Sequence, residues 1–289
     1  DKFSKNLEHL KYMTLAGGEP MIRKDLVEIT EIFYKNNGLQ ILNLITNGWF
    51  TDETILYAQK VIERCPGLSV GINVSIDGFK EEHDHIRQQK GSFDRCISTI
   101  EALKKLKSSD RYSGLSIGSG GTYTAENAHK ILDVGRYLIE EVKIPYALTL
   151  VRGEDIQNND LKLVDVNHYM KINRELLRLS DKVFSETYPF RKVKLAAQSV
   201  VTDIIYESAV NNRMTVPCKA GEKGFVLMAD GELLLCEILN IKIGNLRDHN
   251  YDALKILNSG PVQEEMAKIK SEKCHCTWEC FQMINTVFS

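Results

Sequence analysis

Short apolar runs alternate with amphipathic segments over the first half of the chain. Each run has the length of a strand, and the segment after it repeats its apolar residues at helical spacing. This alternation is typical of βα units that build a parallel sheet. The pattern predicts five strands, at residues 12–16, 39–45, 68–76, 115–118 and 146–151.

Helical patterns dominate two other regions. Residues 92–107 begin with Ser92, a residue type that caps helices, and repeat apolar side chains at helical spacing. From about 155 to 215 the strand signal disappears, and helices are predicted at 167–179 and 195–207. This second region is interpreted as a helical connector.

A polar or glycine-containing loop follows each predicted strand directly. In a β/α barrel such loops share the carboxyl rim of the sheet, where ligands bind. The rim is therefore the predicted ligand site. The loops are AGGEP from residue 16, TNGWF from 46, SIDGFKEEH from 75, GSGGTYT from 118 and VRGED from 151.

The last part of the chain changes character. Residues 225–228 and 232–236 flank Asp230–Gly231, and an Asp-Gly pair accommodates the positive φ angles of a type I′ hairpin turn. Five of the seven cysteines lie between 218 and 280. Clustered thiols of this kind favour metal ligation in a reducing compartment, and zinc and iron–sulfur both accept them.

Composition excludes several classes of function. The 289 residues carry a formal charge of -2, so charge gives no reason to expect nucleic acid or an anionic membrane as a partner. No apolar run approaches the roughly 20 residues that span a bilayer, and no signal-peptide layout is present. We expect a cytoplasmic protein. Because the chain begins with Asp1 and ends in an apolar stretch, we also expect it to be part of a longer polypeptide.

The segment LAGGEP at residues 15–20 carries the most distinctive chemistry at the rim. Gly17 and Gly18 let a ligand approach the backbone closely, while the carboxylate of Glu19 can pair with an ammonium group. Taken alone, the segment favours a plain glycine-rich turn in which Glu19 is solvated. The other loops supply the context.

The order and spacing of five segments resembles that found in radical S-adenosylmethionine (SAM) enzymes. The segments are LAGGEP at 15–20, ITNGW at 45–49, VSIDG at 74–78, HDHIR at 83–87 and GSF at 91–93. The closest resemblance is to the branch with a C-terminal SPASM or twitch domain. It implies an α/β fold, a partial (β/α)6 TIM-like barrel with its first strand upstream, followed by a small cysteine-rich α+β iron–sulfur domain. The implied domains are a barrel at 1–155, a helical connector at 156–215 and a SPASM/twitch-like domain at 216–289.

The resemblance also implies a set of SAM-binding residues. Gly17, Gly18 and Glu19 would hold the amino group of the SAM methionine. Ser75 and Asp77 would lie near its carboxylate or ribose, and Asn47 would line the same cavity. Arg87 resembles a position near the substrate. Simpler interpretations exist: Asn47 and Asp77 each precede a glycine in a turn, and His83, Asp84 and Arg87 open a helix as solvated charges.

One element of the resemblance is missing. The family's CxxxCxxC loop, whose thiolates hold the catalytic [4Fe-4S] cluster, does not occur in this sequence. Cys65 and Cys96 are interpreted as structural, since a free cysteine is commonly buried like a small apolar residue. The implied ligands of the catalytic cluster lie upstream, and we expect the chain alone to be inactive. A flavodoxin or ferredoxin is the implied electron donor.

The later cysteines resemble the auxiliary-cluster domain of the same branch. Cys218 precedes Gly231 and Cys236 with the opening spacing of that domain, and IGNL at 243–246 fits it too. Cys274, Cys276 and Cys280 supply further thiols at a spacing shorter than the usual run. The candidates number five, whereas one auxiliary [4Fe-4S] cluster takes about four thiolates.

The predicted activity of the full-length protein is reductive cleavage of SAM and abstraction of hydrogen from a substrate C–H bond. Modification of a peptide or protein, or maturation of a cofactor, is the implied setting. Two alternatives belong to other classes. One is a non-catalytic iron–sulfur or zinc-binding scaffold on a degenerate barrel, and the other is an ordinary barrel enzyme with a structural zinc module.

Overall fold

The structure, a computed structural model, describes residues 1–153, 158–184, 191–271 and 274–289. It divides into two compact units. The first comprises residues 1, 3–121 and 129–148, and the second comprises residues 2, 122–128 and 149–289. Among the described residues, no helix has the length and apolar character needed to cross a membrane.

A five-stranded sheet runs in the order β1-β2-β3-β4-β5, and its first four strands pair in parallel. All five strands were predicted, and the α/β class is confirmed. The strands are β1 (Tyr12–Leu15), β2 (Ile41–Thr46), β3 (Ser69–Ser75), β4 (Ser116–Tyr123) and β5 (Tyr146–Leu150).

Helices cover one face of this sheet. Alternate residues of the central strands, such as Leu44 on β2 and Ile72 on β3, point to that face and are fully buried. The helix predicted at 92–107 is confirmed, with Ile100 and Leu103 on its buried stripe. The helices of this half of the chain are α1 (Lys2–Lys5), α2 (Leu26–Asn37), α3 (Thr51–Arg64), α4 (Lys80–Ile86), α5 (Ser92–Lys107) and α6 (Ile131–Glu140).

The opposite face of the sheet is polar and partly open. Asn73 Nδ2 donates to Asn43 Oδ1 at 3.1 Å, and Asn43 Nδ2 donates to the Tyr12 hydroxyl at 3.3 Å. Each amide lies over a glycine of the next strand, because a Cβ at Gly71 or Gly118 would stand 2.6 Å from the asparagine oxygen. The side chains therefore lie flat along the sheet.

Strand β4 is longer than predicted. The segment GSGGTYT, interpreted as a rim loop, continues the strand to Tyr123, so that interpretation is wrong. The glycines serve close packing rather than a turn. A Cβ at Gly118 would meet the Asn73 amide, and one at Gly121 would lie 2.5 Å from the carbonyl oxygen of Ile76.

The second unit contains a pair of long helices and a cysteine-rich region. Both helices predicted between 155 and 215 are confirmed, and each is longer than expected. They belong to the same compact unit as the C-terminal residues. The elements are α7 (Val166–Phe184), α8 (Arg191–Asn211), β6 (Val226–Leu227), β7 (Glu232–Leu234), β8 (Lys242–Asn245), α9 (Ala253–Leu257), α10 (Gly260–Ser271) and α11 (Glu279–Val287). Four 3₁₀ helices complete the described elements, at Pro20–Ile22, Asp110–Tyr112, Asn159–Lys162 and Leu246–His249.

The predicted hairpin is confirmed as the antiparallel pair β6–β7, and β8 adds a third strand that was not predicted. The turn type was wrong. Gly231 has φ 92°, but Asp230 is not among the residues with positive φ, whereas a type I′ turn needs both. The turn is closed by Gly231 N–H donating to Met228 O at 3.0 Å.

Candidate functional site

Glu19 ties two rim loops together. Its Oε1 accepts hydrogen bonds from Met21 N at 3.0 Å and Thr46 Oγ1 at 2.8 Å, and its Oε2 accepts one from Asn47 N at 2.7 Å. The loop after β1 is thereby fixed to the end of β2. A carboxylate has about four lone-pair sites, so most of its accepting capacity is used within the protein.

Gly17 and Gly18 leave open space beside this carboxylate. Both residues are exposed, and a Cβ at either position would have no atom of another residue within 4 Å. Gly17 also has φ 114°, which only glycine adopts without strain. The backbone of the loop is thus accessible to a ligand, as the sequence predicted.

The loop after β2 is closed by an internal hydrogen bond and packs closely on β3. Asn47 Oδ1 accepts a hydrogen bond from Trp49 N at 2.9 Å, which makes a compact Asx turn. Gly48 has φ 74°, and a Cβ there would lie 2.7 Å from Val74 Cγ1. Only glycine fits this position. The turn interpretation of Asn47–Gly48 therefore describes the backbone, and the role of Asn47 in ligand binding stays a prediction.

The two predicted residues on the β3 side differ in accessibility. Ser75 is half-buried at the carboxyl end of β3, and its hydroxyl has no hydrogen-bond partner in the described part of the chain. Asp77 is only 4% exposed, and its Oδ2 lies 2.6 Å from Arg87 Nη2. The structure therefore leaves the Ser75 hydroxyl free for a ligand, while the Asp77 carboxylate is engaged by Arg87.

His83 is buried and hydrogen-bonded to residues of the same region, and it is not a solvated charge. It is 1% exposed, its Nδ1 accepts a hydrogen bond from Asp77 N at 3.1 Å, and Ser92 Oγ lies 3.2 Å from its Nε2. Burial lowers the pKa of the imidazole, so the neutral ring is favoured. Asp84 is also engaged, because its Oδ1 accepts a hydrogen bond from Phe93 N, in the first turn of α5, at 2.9 Å.

Cys96 packs behind these loops. Its thiol lies 3.1 Å from Asn47 O and 3.6 Å from Ser75 O, and burial raises its pKa to about 12. A neutral, buried thiol of this kind is unreactive. This geometry agrees with the structural role predicted for Cys96. The buried Cys65, whose pKa burial raises to about 11, has the same character.

Four of the five C-terminal cysteines lie near one another in the second unit. Cys218, Cys236 and Cys276 share one apolar cluster with Trp278 and Phe281. Burial, together with the nearby thiols of Cys218 and Cys236, raises the pKa of Cys274 to about 11. Burial likewise raises the pKa of Cys276 to about 12, with the other three thiols adding to the shift.

Backbone N–H groups point at three of these sulfurs. Ala220 N lies 3.4 Å from Cys218 Sγ, and Trp278 N lies 3.4 Å from Cys276 Sγ. The amides of Ile238 and Leu239 donate to Cys236 and oppose the rise in its pKa that burial causes. Amides directed at sulfur stabilise thiolates and tune iron–sulfur clusters, so these donors suit a bound cluster.

Cys280 stands apart from the other four. The residue as a whole is exposed, but burial of the thiol raises its pKa to about 11, and the charged groups that add to or oppose this shift are Glu279, Arg152 and Glu237. The sequence could not separate Cys280 from Cys274 and Cys276. The side-chain environments do so, because the titratable neighbours of Cys274 and Cys276 are other cysteines, whereas those of Cys280 are charged residues.

Among the described residues, no group of three or more His, Cys, Asp or Glu side chains is placed to hold one metal ion. The four neighbouring cysteines are candidate ligands by their chemistry, and zinc and iron–sulfur both accept thiolates.

An ion pair beside Cys280 was not predicted. Arg152 Nη1 lies 2.7 Å from Glu279 Oε2, and the two side chains are 20% and 24% exposed. Burial raises the pKa of Glu279 in spite of the nearby guanidinium. The only sequence signal was the position of Arg152 in a loop directly after a strand, and nothing in the sequence pointed to a partner at residue 279.

Comparison with known proteins gives a consistent result. Residues 1–134 match the family described as the Radical SAM superfamily. The chain is 32% identical over 175 residues to Fe-coproporphyrin III synthase from Methanosarcina barkeri, which covers 58% of this chain and 40% of that protein. It is 23% identical to the AdoMet-dependent heme synthase of the same organism, over 83% of this chain and 66% of the relative.

A third relative is the sporulation killing factor maturation protein SkfB from Bacillus subtilis, 21% identical over 91% of this chain and 57% of that protein. The chain thus spans about two fifths to two thirds of the length of these relatives. The family match covers the three rim loops that carry Glu19, Asn47 and Ser75. Residues 1–134 of the chain are therefore similar to the radical SAM superfamily.

Proposed function

We propose that the full-length protein is a radical SAM enzyme that reductively cleaves S-adenosylmethionine and abstracts hydrogen from a substrate C–H bond. One observation carries the proposal. The loop with Gly17 and Gly18 is held through Glu19 to the end of β2, and the free hydroxyl of Ser75 ends the next strand. These groups meet at the carboxyl rim of a parallel sheet, within the residues that match the family.

Each part of this rim has a task in the proposal. The exposed backbone at Gly17 and Gly18 would bind the amino group of SAM, with Glu19 holding the loop in place. The Ser75 hydroxyl would bind the carboxylate or ribose. Cys96, His83 and the Asp77–Arg87 pair would keep these loops rigid from behind. When bound, SAM and a [4Fe-4S] cluster held upstream would supply the bond-breaking chemistry.

We further propose an auxiliary [4Fe-4S] cluster in the second unit. Cys218, Cys236, Cys274 and Cys276 would hold it. Their mutual proximity, their burial and the amides that point at the sulfurs support this set. The resulting region would be the predicted SPASM/twitch-like domain, with a flavodoxin or ferredoxin as the electron donor of the enzyme.

The names of the relatives suggest the setting of the reaction. Two are named for synthesis of Fe-coproporphyrin III and of heme, and one for maturation of a killing factor. We therefore place this protein in cofactor maturation or in modification of a peptide or protein.

Formation of 5′-deoxyadenosine tests the proposed activity. The gene would be expressed with its upstream codons, and the protein loaded anaerobically with iron and sulfide, then mixed with SAM and a reductant. We expect 5′-deoxyadenosine by chromatography, and its loss when the upstream cysteines are replaced by alanine. A fully iron-loaded protein that forms none would support the non-catalytic scaffold instead.

A further inference from the structure

The second unit contains a cavity of about 470 Å³ beside the proposed auxiliary cluster. One wall is the end of β5 and the residues that follow it, including Arg152. The other wall is the segment from Glu237 to Asn240, directly after Cys236. The volume lies in the range of small-molecule sites, which is roughly 300–1,000 Å³.

Arg152 is held in place by its neighbours. Nη1 donates to Glu279 Oε2 at 2.7 Å and to Leu150 O at 3.3 Å, and the guanidinium carbon lies 6.0 Å from the centre of the Trp278 ring. Glu279 is fixed in turn, since its Oε1 accepts from Leu150 N at 3.3 Å and from Tyr169 OH at 3.5 Å. The guanidinium is therefore positioned before any ligand arrives.

The other edge of the guanidinium has no partner. Nε and Nη2 make no hydrogen bond to the residues that the structure describes, although the side chain is only 20% exposed. Donors that are largely removed from water and left unpaired are costly. The Nε–Nη2 edge has the fork geometry that binds the two oxygens of a planar carboxylate.

We propose that Arg152 binds a carboxylate group of the substrate in this cavity through its Nε–Nη2 edge. The inference rests on the proposed function for naming the ligand a substrate. Phosphate groups share the chemistry of arginine binding, but the charges favour a carboxylate. Glu237 lines the cavity and Glu279 adjoins it, so two negative charges accompany the one cation. A singly charged ligand meets less repulsion there than a phosphate dianion.

Calorimetric titration of the full-length, iron-loaded protein tests this site. The probes are butyrate, which carries one negative charge, and inorganic phosphate, each added without SAM. We expect butyrate to bind at one site per chain and at least tenfold more tightly than phosphate. Arg152→Lys keeps the charge but removes the fork, so the Kd for butyrate should rise about tenfold, the usual effect of losing one charged hydrogen bond.

Two further variants guard against misfolding. Arg174→Lys is the matched control, because Arg174 forms an exposed ion pair with Asp203 in the same unit, and it should bind butyrate as the native protein does. The double variant Arg152→Gln/Glu279→Gln removes both charges of the pair together, which avoids an unpaired buried carboxylate. It should fold, keep its iron and lose butyrate binding.

The outcomes separate this inference from the proposed activity. Equal butyrate affinity in the native protein and Arg152→Lys, absence of butyrate binding in a protein that forms 5′-deoxyadenosine, or tighter binding of phosphate would each overturn the carboxylate site. Butyrate binding that depends on Arg152 in a protein that forms no 5′-deoxyadenosine would sustain the site and remove the radical SAM activity.

Discussion

Whether a side chain at the rim is free to bind a ligand depends on its hydrogen-bond and ion-pair partners within the protein. Residue type alone does not reveal these partners. The sequence predicted that Glu19 pairs with an ammonium group, yet three of its hydrogen bonds go to Met21, Thr46 and Asn47. Asp77 is likewise paired with Arg87, ten positions further along the chain. Motif spacing located these residues correctly at strand ends. Their partners depend on loop conformations that no periodicity encodes.

The requirement for glycine at position 48 can be tested by substitution. Gly48→Ala adds strain at φ 74° and a clash 2.7 Å from Val74 Cγ1. Gly67→Ala adds strain alone, because φ is 85° but no atom lies within 4 Å. We expect Gly67→Ala to cost about 1 kcal/mol of unfolding free energy, and Gly48→Ala about 2 kcal/mol more. Urea unfolding measures both, and equal losses would contradict the clash.

His83 should make stability depend on pH. Burial, and then Arg87, lower its pKa below the ordinary value, while Asp77 and Asp84 oppose that shift. The unfolded chain therefore takes up a proton near pH 6.5, whereas the folded protein does so only at lower pH. Stability from this residue is present above about pH 6.5 and is lost as the pH falls towards the folded-state pKa.

Replacement of His83 by glutamine removes this titration while keeping an acceptor for Asp77 N–H. Urea unfolding at pH 7.5 and 5.5 should show a loss of stability on acidification that is smaller in His83→Gln by about 1 kcal/mol. The exposed His9 provides the control, since His9→Gln should lose as much as the native protein. An unchanged pH dependence in His83→Gln would refute the assignment.

At the scale of elements, strands and helices were predictable and the glycine-rich strand was not. The strands that become β1, β2, β3 and β5 and the helix α5 follow apolar periodicity, which sequence displays directly. In β4 the run GSGG interrupts that signal and is typical of loops. Sequence cannot distinguish a glycine needed for a turn from one needed for close approach, because the approaching group, Asn73 or Tyr146, comes from another strand.

The packing of Asn73 over Gly118 can be measured by a double-mutant cycle. Gly118→Ala places a Cβ 2.6 Å from Asn73 Oδ1, so the amide must move and lose its bond to Asn43. We expect a loss of about 1–2 kcal/mol in the native background and about 1 kcal/mol less when Asn73 is already alanine. Gly114→Ala, where no atom lies within 4 Å, is the control. Additive losses would mean that the two residues do not compete for space.

For the whole molecule, sequence predicted a catalytic rim and a cysteine-rich metal centre but could not choose the ligands. Spacing alone treats Cys274, Cys276 and Cys280 alike. The fold separates them, because α11 begins at Glu279 and carries Cys280 into the surroundings of Arg152. The pair Arg152–Glu279 joins positions 127 residues apart, and such a contact has no local signature.

This separation leads to a prediction for metal content. Alanine at Cys218, Cys236, Cys274 or Cys276 should lower the iron and sulfide content, since each variant removes one of the four thiolate ligands of the auxiliary cluster. Cys280→Ala should retain full iron and sulfide, because that thiol lies with charged residues rather than with the other sulfurs. Iron and acid-labile sulfide assays on the anaerobically loaded protein measure this.

The same assay distinguishes the metals and the ligand sets. Zinc without sulfide would replace the iron–sulfur assignment with a structural zinc site. If Cys280→Ala loses iron and Cys274→Ala retains it, Cys280 is a cluster ligand and Cys274 is not. Burial raises the pKa of every thiol in the set, so the free protein holds them protonated, and cluster assembly must release those protons. The rate of cluster assembly should therefore fall as the pH falls. If Cys280 is not a ligand, this pH dependence should be the same in the native protein and in Cys280→Ala.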